Sequence, residues 1–220
     1  MDLIQALAAE LGKDPRHVEN VVHLLDEGNT IPFIARYRKE LHGAMDDTSL
    51  RTLEERLQYL RGLEERREAV KKSIDEQGKL TDELAAAIDS AKTLAEVEDL
   101  YRPYKQKRRT RATMAKEKGL EPLAALLFAQ ERDCPRPEEA ARDFVDPEKG
   151  VETVEDALQG ASDIIAEQIS DDAAIRKSLR ALISRQGQLV SKAATEDDSV
   201  YRLYYDFTQS VARLQGHQVL

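Results

Sequence analysis

The 220 residues are enough to bury the core of one large domain or two small ones; 34% are charged and only 5% are aromatic. A net charge of −9 argues against a protein whose whole surface coats nucleic acid or lipid, so any polyanion site must be local. The single cysteine, Cys134, excludes a disulfide framework and a cysteine-based zinc site. Because no signal sequence or transmembrane run is visible, we expect a soluble cytoplasmic protein that binds no membrane.

Apolar residues recur at helical spacing along most of the chain, which predicts an all-α, multi-helical fold. Residues 1–45 read as three short helices with short connectors. Asp14 followed by Pro15 is an N-cap and a first-turn proline for the second helix, and residues 31–41 form the third. We therefore predict a helix-turn-helix-like unit whose last helix is basic. Such units mostly serve packing, and base reading is the alternative. The basic residues of the last helix are Arg36, Arg38 and Lys39.

A long helix is predicted next, at the start of a helical body that spans residues 46–187. Asp46 and Asp47 place negative charge at its first turn, where the helix dipole favours it. Gly78 is the expected stop, and the charge-dense stretch in the middle predicts partial exposure there. The apolar stripe comprises Leu50, Leu53, Leu57, Leu60, Val70 and Ile74.

The pattern changes after Gly187. A short extended run is followed by a polar, acidic loop and by an aromatic cluster that we expect to dock on the body. We interpret residues 188–220 as a linker into a following domain that is absent from this chain, and the chain as a fragment of a longer protein. The aromatic cluster comprises Tyr201, Tyr204, Tyr205 and Phe207.

The strongest local feature is a run of positive charge in residues 99–119, here named the basic segment. Pro103 ends the helix before it, and a short helix resumes near Ala112. Between Tyr101 and Lys118 only Glu117 opposes eight basic residues, so this stretch carries seven net positive charges. The eight are Arg102, Lys105, Lys107, Arg108, Arg109, Arg111, Lys116 and Lys118.

Clustered cations repel one another unless a negative charge compensates them, and the sequence leaves two sources of that charge open. Nucleic-acid phosphate is the first, because Lys and Arg with Tyr101 and Tyr104 nearby suit backbone contacts and stacking. The second is acidic protein surface, either the rest of this chain or a partner. Composition alone supports the two equally.

No residue set in this chain looks catalytic. The four histidines are scattered, the chain lacks glycine-rich phosphate loops, and no serine or cysteine lies in a nucleophile motif. The acidic pairs Asp46-Asp47 and Asp197-Asp198 are better explained by helix capping and loop solubility than by a metal. We therefore predict no enzyme, no cofactor and no metal site.

Four long stretches, in order along the chain, resemble the N-terminal region of the Tex family of bacterial transcription accessory proteins, which are related to a eukaryotic elongation factor of the Spt group. One departure is Gln106, which stands where the family pattern has a proline. The stretches are NTIPFIARYRKE at 29–40, DDTSLRTLEERLQYLRGLEERR at 46–67, DLYRPYKQKRRTRATMAKEKGLEPLA at 99–124 and FVDPEKGVETVEDALQGASDIIAE at 144–167.

The resemblance implies an all-helical N-terminal region with a helix-turn-helix-like element, in a protein that acts in transcription and binds nucleic acid. It also implies that full-length members continue into a ribonuclease-H-like domain, helix-hairpin-helix elements and an OB-fold that binds RNA. None of these later domains lies in this chain.

Two hypotheses follow. In the first, the module makes sequence-independent contacts with RNA or DNA, using Arg36, Arg38, Lys39, Arg102, Lys105, Lys107, Arg108, Arg109 and Arg111. In the second, it is a protein-interaction scaffold that positions the other Tex domains or docks on the transcription machinery, without binding nucleic acid itself.

Overall fold

The computed structural model describes residues 3–105, 108–132, 134–195 and 197–219. The chain forms two compact units, residues 1–97 and residues 98–220. The division falls inside a helix, Leu94–Tyr101. The functional boundaries inferred from the sequence, at residues 45 and 187, stay predictions.

The first unit is built from helices. They are α1 Leu3–Leu11, α2 Pro15–Asp26, α3 Ile31–Tyr37, α4 Asp47–Asp75 and α5 Asp82–Ser90, with α6 Leu94–Tyr101 leaving the unit.

Helix α4 organises the first unit, because α1, α2, α3 and α5 all pack against it. Asp46 caps it by accepting a hydrogen bond from the backbone N–H of Ser49 at 2.8 Å. The predicted start and apolar stripe are confirmed. The stripe is buried at Leu50, Leu53, Leu57, Leu60, Leu63, Val70 and Ile74.

The middle of α4 is partly exposed, as predicted: Glu64, Glu65 and Glu68 are exposed. Leu63 and Arg67 are both buried. The Arg67 guanidinium donates to Glu64 Oε2 at 2.6 Å and to the backbone carbonyl of Ala91 at 2.6 Å. A buried arginine is tolerated here because a carboxylate and a carbonyl replace water around it.

Helix α3 is shorter than predicted, which corrects the interpretation of residues 31–41 as one basic helix. It ends at Tyr37, so Arg38 and Lys39 lie in the following turn. The Leu41 carbonyl is taken by two side chains of α2, His17 Nδ1 at 3.0 Å and Asn20 Nδ2 at 3.0 Å. These tertiary hydrogen bonds override the local helix propensity.

The second unit begins within α6, and its described residues form five further α-helices and a two-stranded sheet. They are α7 Arg111–Glu117, α8 Glu121–Ala129, α9 Pro137–Ala141, α10 Val154–Asp171, α11 Ala173–Gln186, β1 Gln188–Lys192 and β2 Asp206–Ser210. The predicted all-α class is confirmed, and the small sheet is its one addition among the described residues.

The core of the second unit lies where α7, α8 and α9 pack on α10. Small residues let α7 approach α10 closely, and Gly160 of α10 faces Leu120. The buried set includes Ala112, Ala115, Leu120, Leu123, Ala157, Ala161 and Ile164.

Strands β1 and β2 form an antiparallel pair in which Val190 lies opposite Thr208. The predicted extended run corresponds to β1, whereas β2 was not predicted. The aromatic cluster is only partly docked: Tyr204 and Phe207 have ring centroids 5.3 Å apart, but Tyr201 is 68% exposed.

Candidate nucleic-acid interface

The basic segment joins the end of α6 to α7. After α6 ends at Tyr101, Arg102–Tyr104 forms a single 3-10 turn that contains Pro103. Thr110 then caps α7 by accepting a hydrogen bond from the backbone N–H of Thr113 at 3.1 Å. Lys107, one of the predicted contact residues, lies outside the described residues.

A buried carboxylate anchors the start of the basic segment. Asp99 is 5% exposed, and its Oδ1 accepts a hydrogen bond from Arg176 Nε at 2.6 Å. Arg180 donates to the second oxygen. Next to it, Arg102 Nε donates to Asp171 Oδ1 at 3.0 Å. These bonds tie the segment to the end of α10 and to α11.

Sequence reasoning did not identify Asp99, Arg176 and Arg180 as a group. The available signal was an aspartate in a strongly helical stretch, between the apolar residues Val97 and Leu100. Its partners lie more than seventy-five positions away, so no local pattern shows them.

Several cations of the segment already have partners within the second unit. Lys105 lies 3.9 Å from Glu98, and Arg109 Nη2 donates to Glu117 at 2.7 Å. Lys116 lies 3.5 Å from Glu121, and Lys118 donates to the Gly150 carbonyl at 2.7 Å. Carboxylates and a carbonyl of the protein itself therefore compensate part of the positive charge of the basic segment.

Arg108 and Arg111 differ from these cations. Both are exposed, and within the described ranges of the chain neither guanidinium has a hydrogen bond or ion pair. Between them, Thr110 Oγ1 donates to Glu167 Oε1 at 3.1 Å, which fixes the turn against α10. The arrangement presents two uncompensated guanidiniums on an anchored turn.

Tyr101 and Tyr104 are half-buried. Only part of each ring reaches solvent, so the area that they offer to a stacked base is smaller than the sequence suggested.

The second predicted patch belongs to the first unit. Arg36 lies in the last turn of α3 and Lys39 in the turn after it, and both are exposed. Arg38 is held against its own helix: it donates to the Tyr37 carbonyl at 3.2 Å, and its guanidinium lies 5.3 Å from the Phe33 ring centroid. Arg36 and Lys39 are therefore the cations of this patch that face solvent without such contacts.

A cavity of about 830 Å³ lies between α1 and α4 in the first unit. It contains none of the predicted contact residues, and it is lined by apolar residues such as Leu3 and Leu63 and by charged residues such as Glu10 and Glu64. Over the described ranges, no cluster of His, Cys, Asp or Glu is arranged to hold a metal ion. Nor is any described helix both long and apolar enough to cross a lipid bilayer.

The fold and this surface define a class: a helical module with an acidic body and a local, anchored run of exposed cations. Residues 1–75 match the family described as the Tex-like protein N-terminal domain, and residues 133–220 match the Tex central region-like family. The chain belongs to the Tex family.

Three relatives illustrate the range of similarity. The chain is 46% identical to the uncharacterized protein YdcI of Bacillus subtilis, over 99% of this chain and 31% of the relative. It is 43% identical to the transcriptional accessory protein Tex of Neisseria gonorrhoeae, over 100% of this chain and 29% of the relative. It is 30% identical to S1 RNA-binding domain-containing protein 1 of Homo sapiens, over 100% of this chain and 23% of the relative. The chain therefore spans less than a third of the length of these relatives.

Proposed function

We propose that this chain is a helical module of a Tex-like transcription accessory protein that contributes sequence-independent contacts with the RNA or DNA backbone. The observation that carries the proposal is the pair Arg108 and Arg111, which are exposed and unpaired among the described residues. The names of two relatives support it, since one is a transcriptional accessory protein and the other contains an S1 RNA-binding domain.

The cations of the basic segment that are already paired contribute by releasing their carboxylates and binding phosphate instead. The side chains of Arg102 and Arg109 are 44% and 69% exposed, and Lys105 is also exposed. The exposed pairs Arg109–Glu117 and Lys105–Glu98 contribute only about 0–1 kcal/mol each, so a phosphate competes with their carboxylates at low cost. Phosphate binding then releases condensed counterions, which makes the affinity depend steeply on salt.

Arg36 and Lys39 form a second, smaller contact of the same chemistry in the first unit. Arg38 contributes less, because the Tyr37 carbonyl and the Phe33 ring already hold its guanidinium. Reading of bases is not part of this proposal, since only Arg36 of the three lies on a helix.

A protein-interaction scaffold is the second candidate. The observation in its favour is that Lys105, Arg109 and Lys116 face carboxylates of the same unit, as they would face an acidic partner surface. In this role the module positions the remaining domains of the longer protein or docks on the transcription machinery. Under either role we propose a cytoplasmic module without catalysis or cofactor.

The test is a fluorescence-anisotropy titration with labelled single-stranded RNA and duplex DNA across a salt series. With six phosphates neutralised, log affinity should fall with log salt at a slope of roughly −4 to −5. The double variant Arg108→Ala/Arg111→Ala should flatten this slope by about 1.5, because two phosphate contacts are lost.

The matched control is Lys72→Ala/Lys79→Ala, which removes the same charge from two exposed positions of the first unit. It should leave the slope of the parent chain unchanged. If the folded chain does not bind either nucleic acid at low salt, the first role is wrong and the scaffold role stands. If both double variants weaken binding equally, the contact is general electrostatics rather than the basic segment.

A further inference from the structure

The last turn of α3 carries an aromatic side chain that the described part of the chain leaves open to solvent. Tyr37 is 56% exposed, whereas Ile31 and Ile34 of the same helix are buried. Among the described residues, the Tyr37 hydroxyl has no hydrogen-bond partner. Tyrosine combines a large apolar ring with a polar tip, so the exposed part of this ring is a surface that a ligand can cover.

The Tyr37 ring is supported by its neighbours on α3. Phe33 lies one helical turn earlier, and the two ring centroids are 5.3 Å apart with planes inclined at 47°. Arg38 donates to the Tyr37 carbonyl at 3.2 Å, and its guanidinium lies 5.3 Å from the Phe33 centroid. These contacts restrict the Tyr37 side chain, so that less conformational entropy is lost when a ligand packs on the ring.

The turn that follows Tyr37 is anchored as well. The backbone N–H of Leu41 donates to the Arg38 carbonyl at 2.9 Å. The Leu41 carbonyl accepts hydrogen bonds from His17 Nδ1 and Asn20 Nδ2 of α2, both at 3.0 Å. Lys39 lies between Arg38 and Leu41 in the chain and therefore projects from a backbone that is held in place.

Two unpaired cations flank the ring. Arg36 and Lys39 are exposed, and over the described ranges neither side chain has a hydrogen bond or an ion pair. Arg36 directly precedes Tyr37, and Lys39 follows it by two positions. Residues 36–40 contain three basic residues and one acid, Glu40, which leaves two net positive charges around the ring. The site therefore combines an exposed aromatic ring with free positive charge.

An unpaired nucleotide uses both features of this site. Its base offers a flat π face to the Tyr37 ring, and its phosphate is an acceptor for Arg36 and Lys39. An apolar protein surface would cover the ring but would also desolvate the cations, which is costly unless they are paired. An acidic peptide would pair with the cations but would not need the ring. In a duplex, neighbouring base pairs already cover the faces of each base.

We propose that Tyr37 is a stacking site for an unpaired nucleobase of single-stranded RNA or DNA, with Arg36 and Lys39 on the phosphates beside that base. The inference rests on the proposed function, because it adds a contact with a base to the contacts with the backbone. Stacking of this kind tolerates any sequence, since every base has a π face. Tyr37 should therefore contribute to the binding of single strands and not of duplexes.

The test is an anisotropy titration of the parent chain and its variants with four labelled ligands. Three are single strands of equal length, namely RNA, DNA and an abasic DNA that keeps the phosphates without the bases; the fourth is duplex DNA. Tyr37→Ala should lose about fivefold or more in affinity for the RNA or DNA single strand, because stacking on one ring is worth about 5- to 150-fold. Its affinity for the abasic strand and the duplex should not change.

Two further variants separate the ring from the cations. Tyr37→Phe keeps the stacking face and should bind single strands like the parent chain. Tyr37→Ala should leave the salt slope unchanged, because it removes no charge. Arg36→Ala/Lys39→Ala should flatten the slope on single strands by about 1.4, because two phosphate contacts are lost.

The matched control is Tyr201→Ala, which removes a tyrosine that is 68% exposed and lies outside α3. It should bind all four ligands like the parent chain. Circular dichroism and urea denaturation check that each variant is folded.

Three results would overturn the inference. In the first, folded Tyr37→Ala binds single strands like the parent chain while Arg108→Ala/Arg111→Ala still weakens binding; the proposed function then stands without the stacking site. In the second, Tyr37→Ala loses as much affinity for the abasic strand as for the strand with bases, so the ring does not act through a base. In the third, the parent chain binds none of the four ligands, and the nucleic-acid role is lost together with the stacking site.

Discussion

Asp99 and Arg176 lie 77 positions apart in the chain, yet Nε of Arg176 donates to the buried Asp99 carboxylate across 2.6 Å. Replacing Asp99 with Asn should lower the free energy of unfolding by about 1–3 kcal/mol, the usual range for a hydrogen bond to a charged group. The loss is limited because both guanidiniums that face Asp99 are partly exposed and regain water. Urea denaturation followed by circular dichroism measures it.

Removing the two arginines instead of the carboxylate should lower the free energy of unfolding further. Arg176→Gln/Arg180→Gln leaves a carboxylate buried without a countercharge, for which losses of about 3–5 kcal/mol are typical. If this double variant is as stable as Asp99→Asn, the burial of Asp99 does not govern the energetics of the cluster. Arg185→Gln, on the same helix, serves as the control and should have little effect.

Gly43 sits against the imidazole of His17. Its φ is +58°, and an added methyl group would lie 2.4 Å from His17 Cδ2. Gly43→Ala should therefore cost about 1–2 kcal/mol for the left-handed backbone and about 1–3 kcal/mol more for the overlap. Urea denaturation of the variant and the parent chain measures the sum.

Gly12→Ala separates the two contributions, because Gly12 has a φ of +60° and open space around it. It should show only the backbone cost. In a His17→Ala background, the cost of Gly43→Ala should shrink toward that of Gly12→Ala. An unchanged cost in that background would mean that the imidazole is not the obstacle.

Two helical glycines should respond in opposite directions to alanine. An added methyl group at Gly62 of α4 meets nothing within 4 Å, so Gly62→Ala should stabilise the chain by about 0.5–1 kcal/mol through helix propensity. At Gly160 of α10 the same group would lie 2.3 Å from Leu120 Cδ1, in the core. Gly160→Ala should therefore destabilise by about 1–3 kcal/mol.

Thermal unfolding of Gly62→Ala and Gly160→Ala shows directly whether each substitution stabilises or destabilises the chain. In a Leu120→Ala background, Gly160→Ala should destabilise the chain less than it does in the parent chain, since the smaller side chain leaves room for the new methyl group. Stabilisation by Gly160→Ala alone would show that the Leu120 side chain moves aside easily for the new methyl group.

Two ion pairs that brace α4 predict how stability depends on pH. Arg56 donates two hydrogen bonds to Glu10, and Arg61 donates two to Asp26. These hydrogen bonds lower the pKa of both carboxyls below their usual values. Their stabilisation is thus fully present above the unfolded-state pKa, near 4, and is lost as the pH falls through the folded-state pKa.

The measurement is the urea midpoint of the parent chain and of Glu10→Gln/Asp26→Asn. Because the pairs are partly exposed, we expect a difference of about 0.5–1 kcal/mol per pair from pH 5 to 8, shrinking below about pH 4. Glu65→Gln, at an exposed position of α4, should show no such trend. A difference that stays constant down to pH 2.5 would contradict the assignment to these carboxyls.

The parts of the fold that the sequence predicted are those with local causes. Asp46 caps α4, and Leu50 and Leu53 begin a stripe that any 3.6-residue period aligns. The end of α3 has a distant cause instead, because His17 and Asn20 take the Leu41 carbonyl. Strand β2 has only five residues and no strong alternation, so its pairing with β1 leaves little trace in the sequence.

The candidate site also has features with local causes, which the sequence predicts, and features that depend on distant residues, which it does not. The cations of the basic segment are visible as a run of charge, whereas the partner of each one depends on chain folding. Glu117 neutralises Arg109 from eight positions away, but Arg111, only two positions beyond Arg109, has no such partner in the described chain. Composition could not distinguish these two arginines, and their different surroundings decide which one is available to an anion.

The position of α4 in the chain has a consequence for how the protein is synthesised. The apolar faces of α1, α2 and α3 close against α4, whose last buried residue is Ile74. At a translation rate of roughly 5–20 residues per second, the 29 residues of α4 take about 1.5–6 s to add. During that interval the first three helices emerge from the ribosome without their packing surface. A translational pause while α4 is still inside the ribosome would prolong their exposure to chaperones and proteases, whereas a pause after α4 has fully emerged would let the unit close.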